Sequence, residues 1–387
     1  MVAKPAAGTE GLRRQNASAV LRALRREGPA TRADLAKKTG LAKATVGVIV
    51  GDLEAAGAVV EQEADRPGAR GRPGRPVALG GSRFVSLGFE LNVDYVAAVV
   101  LDLAGEPVHT EIQPADGSEA LPELARAVVD QHVGSDRTVV GTTVAVPGLV
   151  RDDHRTVAWA PNLHLDGPGP AEALRGVVPG EVEVSNDANC AAYAEAHHGA
   201  ALGVAHSLYL TGTIGIGAGI VQDGELMSGG AGFAGEVGHM PVGSSTAACG
   251  CGRRGCWEAS VGLQAMLAAV GLPELDTPVR TAEVVAATAR DDAAVRAGLA
   301  RVGEDLGLGI ALLSSVLDPE VVVLGGYFAP LGELVLGPAR RTLDARLASA
   351  VQVRPELRPS TLGIRAAALG AAERSLGPVF SGERDLA

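Results

Sequence analysis

Three of the four cysteines in this 387-residue chain lie within eight residues, in the segment CGCGRRGC. A histidine stands ten residues before the first of these thiols. One histidine and three thiolates form the closed tetrahedral site typical of structural zinc, with bonds of about 2.0–2.3 Å. A disulfide and a chance cluster of buried thiols are the alternatives, but cytoplasmic disulfides are rare and chance would not crowd thiols in this way. The sequence therefore predicts that four side chains converge on a structural Zn²⁺: His239, Cys249, Cys251 and Cys256.

The composition is that of a globular protein without a membrane segment. Hydrophobic residues make up 47% of the chain and charged residues 20%. No apolar run approaches the roughly 18 residues that a membrane span needs. The N-terminal segment MVAKPAAGTEGLRRQN lacks the apolar core of a signal peptide. We therefore expect a cytoplasmic location and no membrane partner.

The charge divides the chain near residue 80. Residues 1–80 carry 14 Lys+Arg and 8 Asp+Glu, a net charge of +6. Subtracting these from the totals of 34 and 45 leaves 20 and 37 for the remainder, a net charge of −17. A basic head on an acidic body predicts a nucleic-acid-binding module attached to a part that does not bind polyanions.

The basic head, residues 1–80, has the pattern of a winged helix-turn-helix domain. Turn and capping residues separate three short predicted helices: Gly28-Pro29, Thr31 and Gly40. The third helix, from about residue 42 to residue 56, places its apolar side chains on one stripe. Its outer face presents three residues that we predict to contact DNA in the major groove: Lys43, Thr45 and Gly47. A helical hairpin that binds a partner protein is the alternative, and the positive charge and the short turn argue against it.

The segment GAVVEQEADRPGARGRPGRPVALG follows the third helix and is typical of a wing. Arginines on a Gly/Pro-rich backbone can enter a narrow A·T minor groove. Three arginines are candidates for this contact: Arg70, Arg72 and Arg75. Alone, the run would be a plain linker. Joined to a helix-turn-helix, it favours DNA contact.

The body, from residue 84 onward, alternates strands, helices and glycine-rich turns. FVSLGFELNVDYVAAVVLDLAGEPV reads as two or three antiparallel strands, and EVEVSNDANCAAYAEAHHGA reads as a strand followed by a helix that starts at Asn186-Asp187. VGEDLGLGIALLSSVLDPEVVVLGG predicts a long helix, a turn and a buried strand. Crossover helices with glycine-rich turns at strand ends describe an α/β protein with a ligand cleft.

The chain resembles the ROK family of repressors, open reading frames and sugar kinases. The resemblance rests on SNDANCAAYAE, GFAGEVGHMPV, CGCGRRGCWEA and VVVLGG in that order, and it covers essentially the whole chain, including the head of the repressor branch. It implies an actin-like, two-lobed sugar-kinase fold preceded by a winged helix-turn-helix. The expected parts are a DNA-binding head at 1–80, a first lobe at 82–185 plus a C-terminal helix at about 355–380, and a second lobe with the zinc loop at 186–354.

The resemblance also implies a sugar site. The residues that match the family's sugar-binding positions are Gly148, Asn186, Asp187, Glu236, His239 and Glu258. Carboxylates suit this role because they accept hydrogen bonds from several hydroxyls at once. The alternatives are a helix N-cap for Asp187 and solvated carboxylates for Glu236 and Glu258. His239 would use one ring nitrogen for zinc and the other for a sugar hydroxyl.

The two loops that hold ATP phosphates in the kinase branch are altered. The first reads Asp-x-Gly-Gly-Thr in kinases, and here Glu90, Asn92, Val93 and Asp94 replace its four defining residues. A carboxylate about 4 Å from a phosphate charge is repelled by about 4 kcal/mol at an effective dielectric of 20. In the second loop, Ile214 replaces a Thr. Both changes favour a protein that binds sugar without phosphorylating it.

The sequence therefore predicts a sugar-responsive transcriptional repressor without catalytic residues. It would bind a two-fold operator as a homodimer or a dimer of dimers and a monosaccharide or derivative as effector. The alternative is an active ATP-dependent, glucokinase-like ROK sugar kinase with a DNA-binding head, in which Asp187 would be the general base. A third class is an inert scaffold that meets a phosphotransferase-system protein.

Overall fold

The computed structural model describes residues 8–63, 74–81, 83–115, 117, 119–160, 163, 165–213, 215–242, 246–347 and 354–386. Within them the chain forms a small helical head followed by two five-stranded sheets with helices packed against them. This arrangement confirms the predicted mixed α/β architecture.

The head contains three helices and a three-stranded antiparallel sheet in which β3 lies between β1 and β2. The predicted breaks are confirmed, because Gly28 (φ +77°) and Gly40 (φ +72°) follow the first two helices. The Thr31 hydroxyl accepts the backbone N–H of Asp34 and so caps the second helix. The elements are α1 (Thr9–Glu27), β1 (Ala30–Thr31), α2 (Arg32–Thr39), α3 (Lys43–Ala56), β2 (Val59–Glu61) and β3 (Pro76–Leu79).

The first large sheet has the spatial order β11-β7-β4-β5-β6. Its strands β4, β7 and β11 are parallel, so their carboxyl ends meet at one edge of the sheet. Glu90 pairs with Ala145 there, and Asn186 pairs with Val146. The elements along residues 84–186, not all of which belong to this sheet, are β4 (Phe84–Leu91), β5 (Tyr95–Asp102), β6 (Pro107–Pro114), α4 (Ala120–Val128), a π-helical turn (Val129–Val133), β7 (Thr138–Val146), β8 (Leu149–Val150), β9 (Val157–Ala160), β10 (Leu165–Gly167), α5 (Gly169–Ala173) and β11 (Val182–Asn186).

The second large sheet has the order β14-β13-β12-β15-β16, with β12 antiparallel to β13 and parallel to β15. No helix among the described residues is long and apolar enough to cross a membrane. The elements are α6 (Asp187–His198), β12 (Ser207–Gly212), β13 (Ile216–Gln222), β14 (Glu225–Leu226), a 3-10 helix (Val237–His239), α7 (Glu258–Val261), α8 (Leu263–Val270), α9 (Pro278–Thr288), α10 (Ala293–Leu317), β15 (Val321–Gly326), α11 (Phe328–Leu331), α12 (Glu333–Arg346), β16 (Glu356–Pro359), a 3-10 helix (Gly363–Arg365) and α13 (Ala366–Ser381).

The boundary expected at about residue 355 is wrong. Strand β16 belongs to the second sheet, because it pairs in parallel with β15 from Val321↔Glu356 to Leu324↔Pro359. The chain returns to the first sheet only with α13, which packs on β4, β7 and β5.

Helices α6 and α13 pack against each other between the two sheets. Their approach is close: a Cβ added at Gly370 would lie 1.7 Å from the carbonyl oxygen of Cys190. Only glycine fits this position without moving α6. The buried residues of both helices belong to one apolar cluster with those of the head, which includes the predicted stripe of α3: Val46, Ile49, Val50 and Leu53.

Candidate functional site

The four predicted metal ligands lie together. One ligand atom from each of the four side chains falls within 4.8 Å of all the others. The Sγ atoms of Cys251 and Cys256 are 3.6 Å apart, and Cys249 Sγ is 3.7 Å from His239 Nδ1. A tetrahedron with bonds of about 2.3 Å has edges of about 3.8 Å. All four cysteines of the chain are free thiols, so the geometry fits a tetrahedral metal rather than a disulfide.

The loop that carries the thiols is held by its own backbone and by one arginine. The N–H of Cys249 donates to the carbonyl of Arg253 (2.8 Å), and Gly252 adopts φ +83° at the turn. The backbone N–H of Arg253 and its side chain, whose Nε lies 3.4 Å from the sulfur, lower the pKa of Cys251 to about 6. The Arg254 side chain instead donates to the carbonyl of Thr246 (3.2 Å). Arg253 therefore offsets the negative charge that forms on Cys251.

The metal cluster adjoins two of the predicted sugar-binding carboxylates. His239 directs Nδ1 to the thiols and Nε2 toward Glu236, with 4.0 Å between Nε2 and Oε2. Glu258 Oε1 lies 3.5 Å from Cys249 Sγ, and its Oε2 accepts the backbone N–H of Ile216 (3.0 Å). A metal held by this cluster would therefore fix the position of both acidic side chains.

The second group of predicted sugar residues lies where β11 meets α6. The Asn186 side chain accepts the N–H of Asn189 (2.9 Å) and donates to the carbonyl of Gly148 (3.0 Å). Gly148 has φ +148°, and a Cβ there would lie 2.5 Å from the Trp159 carbonyl oxygen. Glycine is therefore required at this point, and Asn186 locks the Gly148 turn to the start of α6.

Asp187 occupies the first turn of α6 but is not its N-cap. Asn186 caps the helix, so the alternative role considered for Asp187 is wrong. The Asp187 carboxylate accepts the N–H of Ala188 (2.8 Å) and the Asn186 amide (3.2 Å). Burial raises the pKa of Asp187 to about 6, with a further contribution from the charge of Glu236. This carboxylate can accept further hydrogen bonds, and its pKa of about 6 places it between its two protonation states near neutral pH.

Charge repulsion links the carboxylates of the two groups of predicted sugar-binding residues. Burial raises the pKa of Glu236, His239 lowers it, and the neighbouring Glu258 raises it. Asp187 in turn is affected by Glu236. The structure thus brings together Asp187, Glu236 and Glu258, on elements of both sheets. An acidic arrangement of this kind suits a neutral polyol that donates hydrogen bonds, and it disfavours an anion.

The altered first phosphate loop is closed by a buried hydrogen-bond network. Glu90 Oε1 accepts from the Tyr95 hydroxyl (2.6 Å) and from the Asn92 amide (2.9 Å). Asn92 Oδ1 in turn accepts the N–H of Val93 (2.8 Å). Asp94 is exposed. Side chains therefore fill the turn where a kinase loop would offer bare backbone N–H groups to a phosphate.

Glu90 holds its proton near neutral pH. It is 2% exposed, and its Oε2 atom is buried without a hydrogen-bond partner. Burial raises the pKa of Glu90 to about 7 against the opposing hydrogen bonds from Tyr95 and Asn92, and the charge of Asp187 adds to the increase. Tyr95, which completes the network, was not among the predicted residues. The sequence feature that could have identified Tyr95 is its position as the first residue of the next strand, opposite the altered loop.

The other glycine turns have packing explanations. A Cβ at Gly215 would lie 2.6 Å from Glu258 Oε2, and one at Gly325 would lie 2.0 Å from the Tyr209 hydroxyl oxygen. Gly326 adopts φ +56° against the Gly212 carbonyl. These glycines are therefore needed for close approach of protein atoms whether or not a nucleotide binds. Ile214, on which the predicted change in the second loop rests, lies outside the described residues.

The predicted DNA contacts are only partly described. Lys43 is exposed at the first position of α3, and Thr45 and Gly47 are half-buried. Val48, which was not predicted, is 64% exposed on the same helix. Arg75 pairs with Glu61 (3.4 Å) at the base of the wing. Arg70 and Arg72 lie outside the described residues.

A cavity of about 790 Å³ beside the cysteine loop was not predicted. It lies between that loop, α8 and α10, and Glu258 and Cys249 line it from the side of the metal cluster. Its remaining wall combines small residues with Gln264, Arg301 and Glu304. It is distinct from the group formed by Gly148, Asn186 and Asp187.

Two family models match the chain. Residues 86–375 match the ROK family, and residues 10–71 match the MarR family. The xylose repressor of Bacillus subtilis (strain 168) is 28% identical over 368 residues, which cover 93% of this chain and 94% of the relative. The glucokinase of Streptomyces coelicolor is 30% identical over 315 residues, which cover 76% of this chain and 98% of the enzyme.

Among solved structures, a ROK family transcriptional regulator described as a homologue of the Escherichia coli MLC protein superposes with a TM-score of 0.80. It is 23% identical and covers 96% of this chain and 98% of its own. The agreement therefore extends over the head as well as the body, and at this identity it establishes the fold.

Proposed function

The chain belongs to the ROK family, and on that premise we propose that it is a sugar-responsive transcriptional repressor whose phosphotransfer has been lost. The observation that carries the proposal is that one chain joins an exposed helix-turn-helix to a carboxylate-lined cleft whose first phosphate loop is closed by Glu90, Asn92 and Tyr95. The full-length similarity to a xylose repressor supports it.

The head would bind operator DNA in the major groove. Lys43 stands at the N-terminal end of α3, where a recognition helix meets base edges and phosphates. The exposed Val48 suits apolar contact with a thymine methyl group. Arg75 and the arginines of the wing segment would enter the adjoining minor groove. Because one head reads one half-site, we propose a homodimer or dimer of dimers on a two-fold operator.

The cleft would bind a monosaccharide or a derivative of one. Gly148, Asn186 and Asp187 would hold it from the first sheet, and Glu236, His239 and Glu258 from the second. We assign Zn²⁺ to His239, Cys249, Cys251 and Cys256, where it supplies a rigid tetrahedral link without an open position for chemistry. These residues would keep Glu236 and Glu258 oriented toward the ligand.

The lost phosphotransfer follows from the first phosphate loop. The Asn92 side chain bonds to Glu90 and accepts the backbone N–H of Val93, so that this N–H is not free to receive a phosphate. The neighbouring carboxylates would repel the triphosphate. Asp187 then serves as an acceptor for sugar hydroxyls rather than as a base. Sugar and operator are reciprocally coupled, since each changes the affinity for the other by the same factor.

The test uses the full-length protein and DNA from upstream of its own gene. A gel shift should show binding that weakens with salt and changes with one sugar of a panel that includes D-xylose and D-glucose. With ATP, Mg²⁺ and the same sugars, no ADP release should exceed the background.

The second candidate is an active sugar kinase, which the 30% identity to a glucokinase and the pKa of about 6 at Asp187 favour. Turnover at the 1–100 s⁻¹ of ordinary kinases would establish it and contradict the loss of phosphotransfer. Absence of any operator shift would contradict the repressor function.

A further inference from the structure

The head is docked on the body through α1 and α13, far along the chain from their covalent connection. The Ser18 hydroxyl donates to the carbonyl of Phe380 (2.9 Å), and Arg22 donates to the same oxygen. One turn further along α1, Arg25 reaches Glu373 on α13 with 2.6 Å between Nη2 and Oε2. The Arg25 guanidinium also lies 5.8 Å from the centre of the Phe380 ring. The helix that leads into the helix-turn-helix is therefore fixed to the C-terminal helix of the body.

The Glu373 carboxylate is shared between the head and the helix that carries the candidate sugar site. His198, the last residue of α6, lies 2.9 Å from Glu373 Oε2, the same oxygen that Arg25 contacts. All three side chains are largely buried, with 5% exposure for Glu373, 17% for Arg25 and 16% for His198. Against the effect of burial, the hydrogen bond from His198 and the charge of Arg25 hold the pKa of Glu373 at about 2. The carboxylate is therefore ionised and committed to both partners.

Helix α6 spans the distance between the cleft and this carboxylate. It begins at Asp187, directly after Asn186, and ends at His198; its 12 residues make it about 18 Å long. Near its C-terminal end the buried Glu195 accepts from the Ser360 hydroxyl, beyond β16, and from the N–H of Ala200 (2.7 Å). A shift of the first turn of α6 against the second sheet would therefore also move its last turn, because a helix moves along its axis as a rigid rod.

The close contact between α6 and α13 leaves α6 little freedom to respond to a shift of its first turn in any other way. The carbonyl of Cys190 lies directly against Gly370, so the two backbones touch without intervening side chains. Displacement of α6 must then be accommodated along the α13 surface or at its ends. At the C-terminal end of α6, His198 contacts the head through Glu373 and Arg25.

We propose that Glu373 is the positioning residue that couples the sugar site to the DNA-binding head, by holding His198 of α6 and Arg25 of α1 on one carboxylate oxygen. The inference rests on the proposed function and names its route of regulation. Sugar that moves the first turn of α6 would change the angle at which α1 presents the helix-turn-helix, and operator binding would act on the cleft by the same route.

Two single-arm variants test the route, because Glu373 is buried and its replacement would leave both Arg25 and His198 without their partner. His198→Leu removes the arm to the cleft and leaves the Arg25–Glu373 pair. Arg25→Leu removes the arm to the head and leaves the His198–Glu373 contact. Glu333→Gln, which breaks the exposed pair of Glu333 with Arg340 (2.6 Å) on α12, is the matched control. Arg25→Lys, which keeps the charge, tests for rescue.

The measured quantity is the ratio of operator dissociation constants with and without the D-xylose or D-glucose that shifts the wild-type protein. Couplings between two sites commonly reach about 5- to 150-fold. We expect this ratio to fall to near 1 in His198→Leu and in Arg25→Leu, with each ligand's affinity in the absence of the other within about twofold to threefold of wild type. The double variant should lose no more than either single variant, and Arg25→Lys should recover part of the ratio.

A structural role alone would lower stability and leave the ratio unchanged, so the ratio separates the two explanations. A wild-type ratio in either single-arm variant would overturn the proposal. A wild-type protein that binds no operator, or whose operator binding responds to neither sugar, contradicts the proposed function itself and the inference falls with it. A responsive wild type with equally responsive variants refutes this route only.

Discussion

Glu90→Gln should stabilise the protein in a manner that depends on pH. The glutamine keeps the shape of the side chain and keeps Oε1 as the acceptor for Tyr95 and Asn92. It replaces the buried Oε2, which has no partner, with an amide that carries no charge. The substitution therefore isolates the free energy of holding one carboxylate in a site that burial has made unfavourable for the charge.

The magnitude follows from the two pKa values. The pKa of Glu90 is about 7 in the folded protein and about 4.3 in an unfolded chain. Between these values the folded state holds a proton that the unfolded state has lost, so the stability of the wild-type protein falls as pH rises through this window. Each pKa unit is worth about 1.4 kcal/mol, which gives a total loss of about 4 kcal/mol, and about 3 kcal/mol of this loss occurs between pH 5 and pH 8. The glutamine variant does not undergo this loss.

Urea denaturation of wild type and variant at pH 5 and pH 8 measures the difference. We expect similar stabilities at pH 5 and an advantage of about 3 kcal/mol for Glu90→Gln at pH 8. Glu181→Gln, at a side chain that is 81% exposed, is the control. If Glu90→Gln is less stable than wild type at pH 8, the carboxylate is ionised and usefully paired in the folded protein, and the reasoning is refuted.

Three further substitutions test the head, the metal cluster and the cleft. In a salt titration, Lys43→Ala should weaken operator binding and reduce the slope of log K against log salt by about 0.9, as one lost phosphate contact requires. The control Arg341→Ala, on the exposed surface of α12, should change neither the operator affinity nor the slope. Cys251→Ser should lower the zinc content, measured by mass spectrometry, from one per chain and lower the melting temperature, while Cys190→Ala should keep the zinc; equal zinc in both would exclude Cys251 as a ligand. Asp187→Asn should reduce sugar affinity by about 10- to 100-fold. In the wild-type protein, sugar affinity measured by calorimetry should rise as pH passes through about 6, because the Asp187 carboxylate ionises there. A wild-type affinity that does not change with pH would contradict the role assigned to Asp187.

Features that depend on neighbouring residues could be predicted from the sequence. The ends of α1 and α2 follow from Gly28 and Gly40, whose left-handed backbone suits glycine. The metal cluster was predictable because three of its ligands lie within eight residues and their spacing leaves few other uses. The start of α6 was predictable because Asn186 is a good N-cap after a strand. In each case the residues carry the structural signal themselves.

Features that depend on distant partners could not be predicted in this way. The short segment ELRP of β16 has no strand pattern, and only its pairing with β15 makes it one. The partners of Glu373 are 348 and 175 residues away in the chain, and a buried carboxylate on an alanine-rich helix has no signature in sequence. The closure of the first phosphate loop was predicted as a loss of glycine, but the contribution of Tyr95 appears only when β5 folds back on β4.

The docking of the head decides what kind of regulator this architecture allows. A head held only by its covalent connection would read DNA in the same way whether or not the cleft was filled, because nothing would transmit the state of the cleft. Here the head shares an apolar cluster with α6 and α13, and one carboxylate joins Arg25 of the head to the helix that begins at Asp187. A ligand that favours one position of α6 must then favour one position of α1, to the extent that its affinity differs between the two. The proposed loss of phosphotransfer is compatible with this use, since a sensor needs a ligand that stays bound unchanged for as long as its concentration is high.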